Sequence, residues 1–292
     1  MVNTLAPKQN EQAVVLRNSR GQRLVAVWHE AEKPRAAIVM LHGWSGYRTG
    51  PHQMLTRAAR TFAARRNGVL RFDFAGRGDS EGDTDETTLA TMADDVRAAL
   101  DWLGQRDHKR VIFLGLCSGC EVALAAAQKD TAALVLWSAP VFAAGQGDET
   151  GRRSKRAEML QTYARKAMRP ETWRKILTGR VDTSAVGRAV SGGGGEAVRN
   201  VEDGSAGHLP RGWRQSALDR FEKIEAARLL VYGTADATTE GALAWQRAHG
   251  SRFTKANTHE HLVEGANHSF YGLAWEQEVF DVTARWLDER TL

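Results

Sequence analysis

The chain has 292 residues, of which 42% are hydrophobic and 26% are charged, values that are ordinary for a soluble globular protein. Its net charge of +5 is mildly basic, but no helix-turn-helix, zinc or RNA-binding motif accompanies it, so nucleic acid is not an expected partner. The two cysteines, Cys117 and Cys120, are too close in the sequence for a disulfide framework, because so short a loop constrains the unfolded chain very little.

The sequence contains no recognisable membrane anchor or export signal. The first residues, 1–12, are polar and lack the apolar core of a signal peptide, and no uncharged apolar run is long enough to span a bilayer. We therefore expect a cytoplasmic protein.

Strands and helices alternate along the first half of the chain. Two apolar runs, 14–17 and 24–28, flank a turn-rich segment and predict a β-hairpin. Beyond it, short apolar runs typical of buried strands alternate with segments of helical spacing. The predicted strands are 36–41, 69–74, 111–114 and 133–137, and the predicted helices are 54–65, 91–103 and 121–128. This alternation predicts an α/β fold whose mostly parallel central sheet is flanked by helices on both faces.

The alternation is interrupted by an insertion without apolar strands, 142–222, which contains helical patterns and a glycine-rich tract. The patterns predict helices at 155–168 and 171–177 inside the insertion, then strands at 228–232 and 260–263 and helices at 241–249 and 277–289. We interpret 142–222 as a helical cap within a single domain that spans 1–292. An insertion at this point would lie over the carboxyl ends of the strands, where α/β sheets bind ligands.

A sharp turn follows the strand that begins at Val111. Its residues are Gly115-Leu116-Cys117-Ser118-Gly119, and the glycines stand two positions before and after the cysteine, which is the spacing of the nucleophile elbow G-x-S-x-G. Small flanking residues let the chain reverse sharply and expose one side chain above the sheet. We therefore predict that Cys117 is the nucleophile, in the position that serine has in the motif.

Three other interpretations of this turn stay open. Ser118 is a weaker nucleophile candidate, because its flanking residues at the same spacing are Leu116 and Cys120 rather than glycines. Cys117 and Cys120 also form a C-x-x-C at a helix N-terminus, a pattern typical of redox chemistry. In the third interpretation Cys117 is a small buried residue of a protein without catalytic activity.

Two later residues complete a catalytic pattern. Asp236 follows the strand predicted at 228–232, and His268 follows the next strand. Both are expected at the carboxyl edge of the sheet, on the side where Cys117 emerges. A nucleophile needs a base, and the base needs an orienting carboxylate, so the order nucleophile, acid, histidine predicts a Cys117-His268-Asp236 triad.

Two backbone N–H groups are expected to form the oxyanion hole, which stabilises the negative charge that develops during acyl transfer. One belongs to Ser118, directly after the nucleophile. The other belongs by its position to Trp44, in the loop that follows the strand at 36–41. His42 in the same loop is better interpreted as a packing residue than as a base.

Other polar patterns carry weaker signals. His259 and His261 are spaced to share one face of a strand, but no third ligand is evident, so we predict neither a metal site nor a cofactor. The glycine-rich turn 73–80 lacks the spacing of a dinucleotide loop and is interpreted as a structural loop near the site.

The arrangement of the elbow, the acid, the histidine and these loops resembles the α/β hydrolases, in particular the serine aminopeptidase-like group. A narrower resemblance is to the exosortase A system-associated hydrolase 1 family, bacterial proteins of unassigned substrate that are linked to surface-polysaccharide and protein-sorting systems. The matching residues are Tyr47–Gln53, Leu70–Phe74, Gly78–Ser80, Gly115–Cys117 and, in the predicted cap, Pro170–Arg180. The resemblance implies an α/β-hydrolase fold and a cysteine at the elbow, while residues 42–44 and 118–120 depart from the narrower family's pattern.

These features predict an α/β hydrolase that acts as a hydrolase or acyltransferase on an ester, thioester or lactone, through a thioester acyl-enzyme. Its expected partner is a small acyl substrate. Basic residues outnumber acidic ones in 151–180, which indicates an anionic substrate if they face inward, although a solvated helix face is the commoner explanation. The alternative function is a binding protein without catalysis, or one regulated by reversible pairing of Cys117 with Cys120.

Overall fold

A computed structural model of the protein describes residues 10–140, 224–249 and 257–290. The predicted cap, 142–222, with its helices at 155–168 and 171–177, lies outside the described residues.

Eight strands form one sheet in these ranges, in the order β1-β2-β4-β3-β5-β6-β7-β8. The bounds of the strands are β1 Glu11–Arg17, β2 Arg23–His29, β3 Ala36–Leu41, β4 Asn67–Phe72, β5 Val111–Leu116, β6 Ala133–Trp137, β7 Ala227–Gly233 and β8 Thr258–Val263. β1 and β2 form the predicted hairpin, and β2 pairs antiparallel with β4. Every pairing from β4 across to β8 is parallel. The mostly parallel sheet of the predicted α/β fold is therefore confirmed.

Helices cover both faces of this sheet. Those in the described part of the chain are α1 Met54–Ala64, α2 Leu89–Gly104, α3 Gly119–Ala126, α4 Thr239–His249 and α5 Leu273–Glu289. α1 packs against α5 over a core that contains alternate residues of β3 and β5, whereas α2 packs against α3. Every residue of β3 is buried, as expected for a parallel strand that is covered on both sides.

Four of the described helices begin earlier than predicted: α2 and α3 each by two residues, at Leu89 and Gly119, and α4 and α5 for identifiable reasons. α4 begins two residues early, at Thr239, whose hydroxyl donates to the Gly233 carbonyl at 2.8 Å. α5 begins four residues early, at Leu273. In its first turn the leucine is 80% exposed while Glu276 is buried, which reverses the amphipathic pattern on which the prediction depended.

A buried polar network joins the antiparallel end of the sheet. Arg71 on β4 donates through Nε to Nε2 of His29 on β2 at 2.8 Å. Glu11 lies 3.7 Å from the other ring nitrogen and also pairs with Arg60 at 2.6 Å. Burial, helped by the nearby Arg71 charge, lowers the pKa of His29 to about 4, so the ring is neutral and accepts the arginine's hydrogen bond.

Acidification is expected to destabilise the fold through His29. The unfolded chain protonates a histidine near pH 6.5, whereas the pKa in the folded protein is about 4. The free energy of unfolding should therefore fall as the pH decreases through this window, by roughly 3 kcal/mol in total. His29→Gln keeps an acceptor for Arg71 but does not titrate, so its stability should fall less over the same window. Urea denaturation at several pH values measures both slopes, and equal slopes would contradict this role of His29.

Candidate active site

Cys117 lies in a strained turn between β5 and α3. Its φ angle is +56°, in the left-handed region that residues other than glycine rarely adopt. The Cys117 amide donates to the Trp137 carbonyl at 2.9 Å, and the Cys117 carbonyl accepts from the Cys120 amide at 2.9 Å. These bonds hold the cysteine at the carboxyl end of β5 in the conformation expected of a nucleophile elbow.

The two glycines of the elbow motif are required by space. A Cβ atom on Gly119 would lie 2.1 Å from the carbonyl oxygen of Leu41, and one on Gly115 would lie 2.6 Å from the Cα of Cys120. Any side chain at these positions would push α3 away from β3 or open the turn. The glycine spacing in the sequence therefore has a steric cause.

His268 and Asp236 meet at the same edge of the sheet. Asp236 follows β7 and His268 follows β8, and the Nδ1–H of the histidine donates to Oδ2 of the aspartate at 2.6 Å. The imidazole also faces the thiol of Cys117, since each of these two groups shifts the pKa of the other. The structure thus brings the three residues together at one edge of the sheet, and their role as a catalytic triad stays a prediction.

Direct backbone contact fixes the loop that carries Asp236 against the loop that carries His268. A Cβ atom on Gly233 would lie 2.2 Å from the carbonyl oxygen of Ala266. The other carboxylate oxygen of Asp236, Oδ1, accepts from the amide and the hydroxyl of Thr238, each at 2.9 Å. The carboxylate is therefore oriented before it meets the imidazole.

Electrostatics favour a thiolate and an imidazolium in this site. Burial alone raises the pKa of a thiol, but the hydrogen bond and charge of His268, with the Ser118 amide, lower the pKa of Cys117 below its ordinary value. The hydrogen bonds with Asp236 and Cys117 raise the pKa of His268 to about 10. Burial likewise opposes the charge of Asp236, yet the hydrogen bond from His268 keeps the pKa of Asp236 below its ordinary value. Each group therefore stabilises the charged form of its neighbour.

Two residues that the sequence did not single out for the site hold the histidine loop. Ser138, buried at the end of β6, donates its hydroxyl to the His268 carbonyl at 2.8 Å. Nε2 of His52 donates to the Ser269 carbonyl at 3.1 Å, and its Nδ1 lies 3.1 Å from a carboxylate oxygen of Glu276. The signals in the sequence were weak: Ser138 directly follows a buried strand, and His52 lies in a segment that matches a known family.

The loop after β3 approaches the elbow from the other side. A Cβ atom on Gly43 would lie 3.3 Å from the Cβ of Cys117. The Ser118 amide lies near enough to the Cys117 side chain to lower the pKa of its thiol. The Trp44 amide donates to the hydroxyl oxygen of Ser118 at 2.7 Å. Both amides predicted for an oxyanion hole thus lie beside the cysteine, and their role there stays a prediction.

The alternatives at the elbow receive less support from this geometry. The Ser118 Oγ accepts a hydrogen bond from the Trp44 amide, and no base among the described residues accepts its proton. The Cys120 thiol is fully buried and donates to the Gly115 carbonyl at 3.2 Å. Burial also raises the pKa of Cys120 well above its ordinary value. A protonated thiol held against the backbone in this way is a poor partner for disulfide exchange with Cys117.

His42 and the turn 73–80 have structural surroundings. His42 is buried, its Nδ1–H donates to the Gly43 carbonyl at 2.8 Å, and burial lowers the pKa of His42 to about 4. Asp73 is also buried, and it forms an ion pair with Arg48. These contacts agree with the interpretation from the sequence, in which His42 is a packing residue and the turn 73–80 is a structural loop.

The predicted absence of a metal site remains a prediction. His261 lies on the edge strand and pairs with Glu278 at 2.8 Å. Within residues 10–140, 224–249 and 257–290 no three histidine, cysteine or acidic side chains are grouped closely enough to hold a metal ion. The helices in these same ranges include none with the length and apolarity needed to cross a bilayer.

Comparison with known proteins identifies the family. The model of an alpha/beta hydrolase family matches residues 38–282, which is most of the chain. The protein therefore belongs to the α/β hydrolases, and both the predicted fold and the predicted enzyme class are confirmed. No curated protein gave a significant match.

Many solved structures share the fold. Esterase Pf2001 of Pyrococcus furiosus matches with a TM-score of 0.66 and 17% identity over 100% of this chain and 96% of its own. Est1E of Butyrivibrio proteoclasticus, solved with ferulic acid bound, matches with a TM-score of 0.62 and 17% identity over 95% of this chain and 99% of its own. A serine hydrolase homologue from Coxiella burnetii has a TM-score of 0.60 and 13% identity over 97% of this chain and 100% of its own. At such identities the likeness shows the fold alone.

Gly119→Ala is expected to destabilise the protein by roughly 2–4 kcal/mol, because the added methyl group must displace the Leu41 carbonyl or the start of α3. Gly104→Ala is the matched control, since a Cβ atom at Gly104 meets nothing within 4 Å. Urea denaturation of both variants measures the difference. Equal stabilities would show that the elbow tolerates a side chain and that its packing is not restrictive.

The Cys117 thiol is expected to react with iodoacetamide at pH values where an ordinary thiol is still mostly protonated, because His268 lowers its pKa. In His268→Gln this support is lost while burial remains, so the midpoint of the pH–rate profile should rise to or above that of an ordinary thiol. Asp236→Asn should shift it in the same direction. Mass spectrometry follows the alkylation, with buried Cys120 as an internal control that should stay unmodified. An unchanged midpoint in His268→Gln would rule out the proposed ion pair.

Proposed function

We propose that this α/β hydrolase is a cysteine-dependent hydrolase or acyltransferase for an ester, thioester or lactone. The observation that carries the proposal is the placement of His268 between Asp236, to which it is hydrogen-bonded, and the Cys117 thiol, whose pKa it lowers. Strain at Cys117 and buried charge at Asp236 both cost folding stability. Their coincidence with a thiol of lowered pKa, at the edge of the sheet where ligands bind, supports catalysis better than it supports packing.

In the proposed reaction the Cys117 thiolate attacks the carbonyl carbon of the substrate. A C–S bond forms while the π electron pair of the carbonyl moves onto its oxygen, which becomes an oxyanion. When the carbonyl forms again, the bond to the leaving group breaks, and the imidazolium of His268 donates its proton to the departing oxygen or sulfur. The product is a thioester between Cys117 and the acyl group.

The second half of the reaction releases the acyl group. Neutral His268 takes a proton from water or from an acceptor alcohol, whose oxygen attacks the thioester carbon. The new C–O bond forms, the C–S bond breaks, and the Cys117 thiolate returns beside a protonated His268. Asp236 stays ionised throughout and holds the imidazole through Nδ1. Water yields a carboxylic acid, and an alcohol yields a new ester.

The comparisons support an oxygen ester as the substrate class. Two proteins of similar fold point in this direction, since one is named an esterase and Est1E was solved with ferulic acid bound. Amide bonds rank lower, because an amine leaves a thiol adduct poorly. The exosortase-associated family, the cytoplasmic location and an anionic substrate remain predictions that follow from the sequence.

The acyl-enzyme provides the test of this function. Reduced protein is incubated briefly with p-nitrophenyl acetate or a short acyl thioester and then examined by intact-mass spectrometry. We expect the mass of one acyl group on the wild type and on Cys120→Ala, and none on Cys117→Ala. His268→Ala should slow acylation by about 10²–10⁴-fold, since it removes both the thiolate support and the acid.

Two outcomes would overturn the proposal. An adduct that persists in Cys117→Ala would place the nucleophile elsewhere, with Ser118 the first position to map. No adduct and no turnover by the reduced wild type with any of these substrates would favour the binding protein without catalysis.

A further inference from the structure

The Ser118 hydroxyl has an unusual position for a residue at the start of a helix. Ser118 precedes the first residue of α3, where a serine commonly caps the helix, but its side chain makes no capping bond. Instead Oγ accepts from the Trp44 amide at 2.7 Å, across to the loop that follows β3. The hydroxyl proton has no acceptor among the described residues, so Ser118 has a donor to offer.

That donor lies beside the proposed nucleophile. A Cβ atom on Gly43 would lie 3.3 Å from the Cβ of Cys117 and 3.7 Å from the Oγ of Ser118. The cysteine side chain and the hydroxyl therefore border the same small space in front of the Gly43 backbone. Ser118 is only 7% exposed, so water competes little for its proton.

The position of Oγ also changes what Trp44 can do. An oxyanion bound by the Trp44 amide needs to lie about 2.7–3.1 Å from the amide nitrogen. The hydroxyl oxygen of Ser118 already occupies such a position at 2.7 Å. The amide and the substrate oxygen are therefore separated by the hydroxyl group unless the serine rotates away.

We propose that the Ser118 hydroxyl is itself a donor of the oxyanion hole, held and polarised by the Trp44 amide. The proposal rests on the acyl-transfer function proposed above and adds a catalytic residue to it. As the Cys117 thiolate forms the C–S bond, the carbonyl electron pair moves onto oxygen, and the Oγ–H of Ser118 donates a hydrogen bond to that oxygen without transferring its proton. A hydroxyl that accepts one hydrogen bond donates a second one more strongly.

The competing explanation makes the opposite prediction. If the hydroxyl merely fills an empty hole, it must leave when a substrate arrives, and its removal frees the Trp44 amide. Ser118→Ala would then keep or increase activity. If the hydroxyl is a donor, its removal takes a hydrogen bond away from the transition state alone.

Two pairs of variants test the proposal, each comparing a side chain with and without a hydroxyl: wild type with Ser118→Ala, and Ser118→Thr with Ser118→Val. Turnover of p-nitrophenyl acetate is measured for all four. We expect each loss of the hydroxyl to lower kcat by about 10²–10³-fold with little change in KM. Threonine and valine have nearly the same shape, so the second pair tests the role of the hydroxyl even if Ser118→Ala does not fold.

Alkylation by chloroacetamide supplies the control, because it requires the Cys117 thiolate but creates no oxyanion. Its rate should stay within a few-fold in all four proteins, while kcat separates them. Equal kcat within each pair, with an active wild type, overturns the role of Ser118 and leaves the cysteine mechanism intact. A parallel loss of alkylation and kcat also overturns it, because Ser118 would then act through the thiolate. A wild type that turns over no ester overturns both proposals.

Discussion

The close approach of the loop that follows β3 to the elbow around Cys117 is the constraint on which the site depends. β3 and β5 pair in parallel with Leu41 opposite Gly115, and this register brings the Leu41 carbonyl against Gly119. Every residue of β3 and all but the first residue of β5 are buried, so both faces of this strand pair are packed against the covering layers. The loop that follows β3 is consequently always beside the elbow, and the geometry needed for chemistry follows from the packing of the sheet.

The electrostatics of the site depend on the same rigidity. An isolated buried carboxylate or imidazolium would shift its pKa and become neutral, because desolvation favours the uncharged form. Asp236 and His268 each favour the charged form of the other through their hydrogen bond, and His268 also lowers the pKa of Cys117. Backbone contact between Gly233 and Ala266 holds two of the three loops together. The desolvation free energy of these buried groups is therefore offset when the protein folds, before a substrate is present.

Most of the fold and the residues of the candidate triad could be predicted because their signals are local. Apolar runs marked the strands, glycine spacing marked the elbow, and the order of acid and histidine followed from strand ends. The sheet order and the contacts of Ser118 could not be read in this way, because they join distant segments: Trp44 and Ser118 are 74 residues apart. Ser138 and Glu276 were missed for a related reason. A buried polar residue interrupts the hydrophobic pattern of the sequence. The reason for its burial becomes visible only when its hydrogen-bond partner is known from the structure.

A cysteine at the elbow changes which step the surrounding residues must assist. A serine hydroxyl has to lose its proton to the histidine during attack, whereas His268 already lowers the pKa of the Cys117 thiol before a substrate arrives. The remaining demands are to stabilise the oxyanion and to protonate the leaving group. The Ser118 amide, which also helps to lower the pKa of the Cys117 thiol, is the predicted donor for the first. The hydroxyl of the same residue, oriented by Trp44, adds a second donor at the place where that charge arrives. The proposed mechanism therefore gives two roles to the position directly after the nucleophile, one for its amide and one for its hydroxyl, although the elbow motif leaves that position open to any residue.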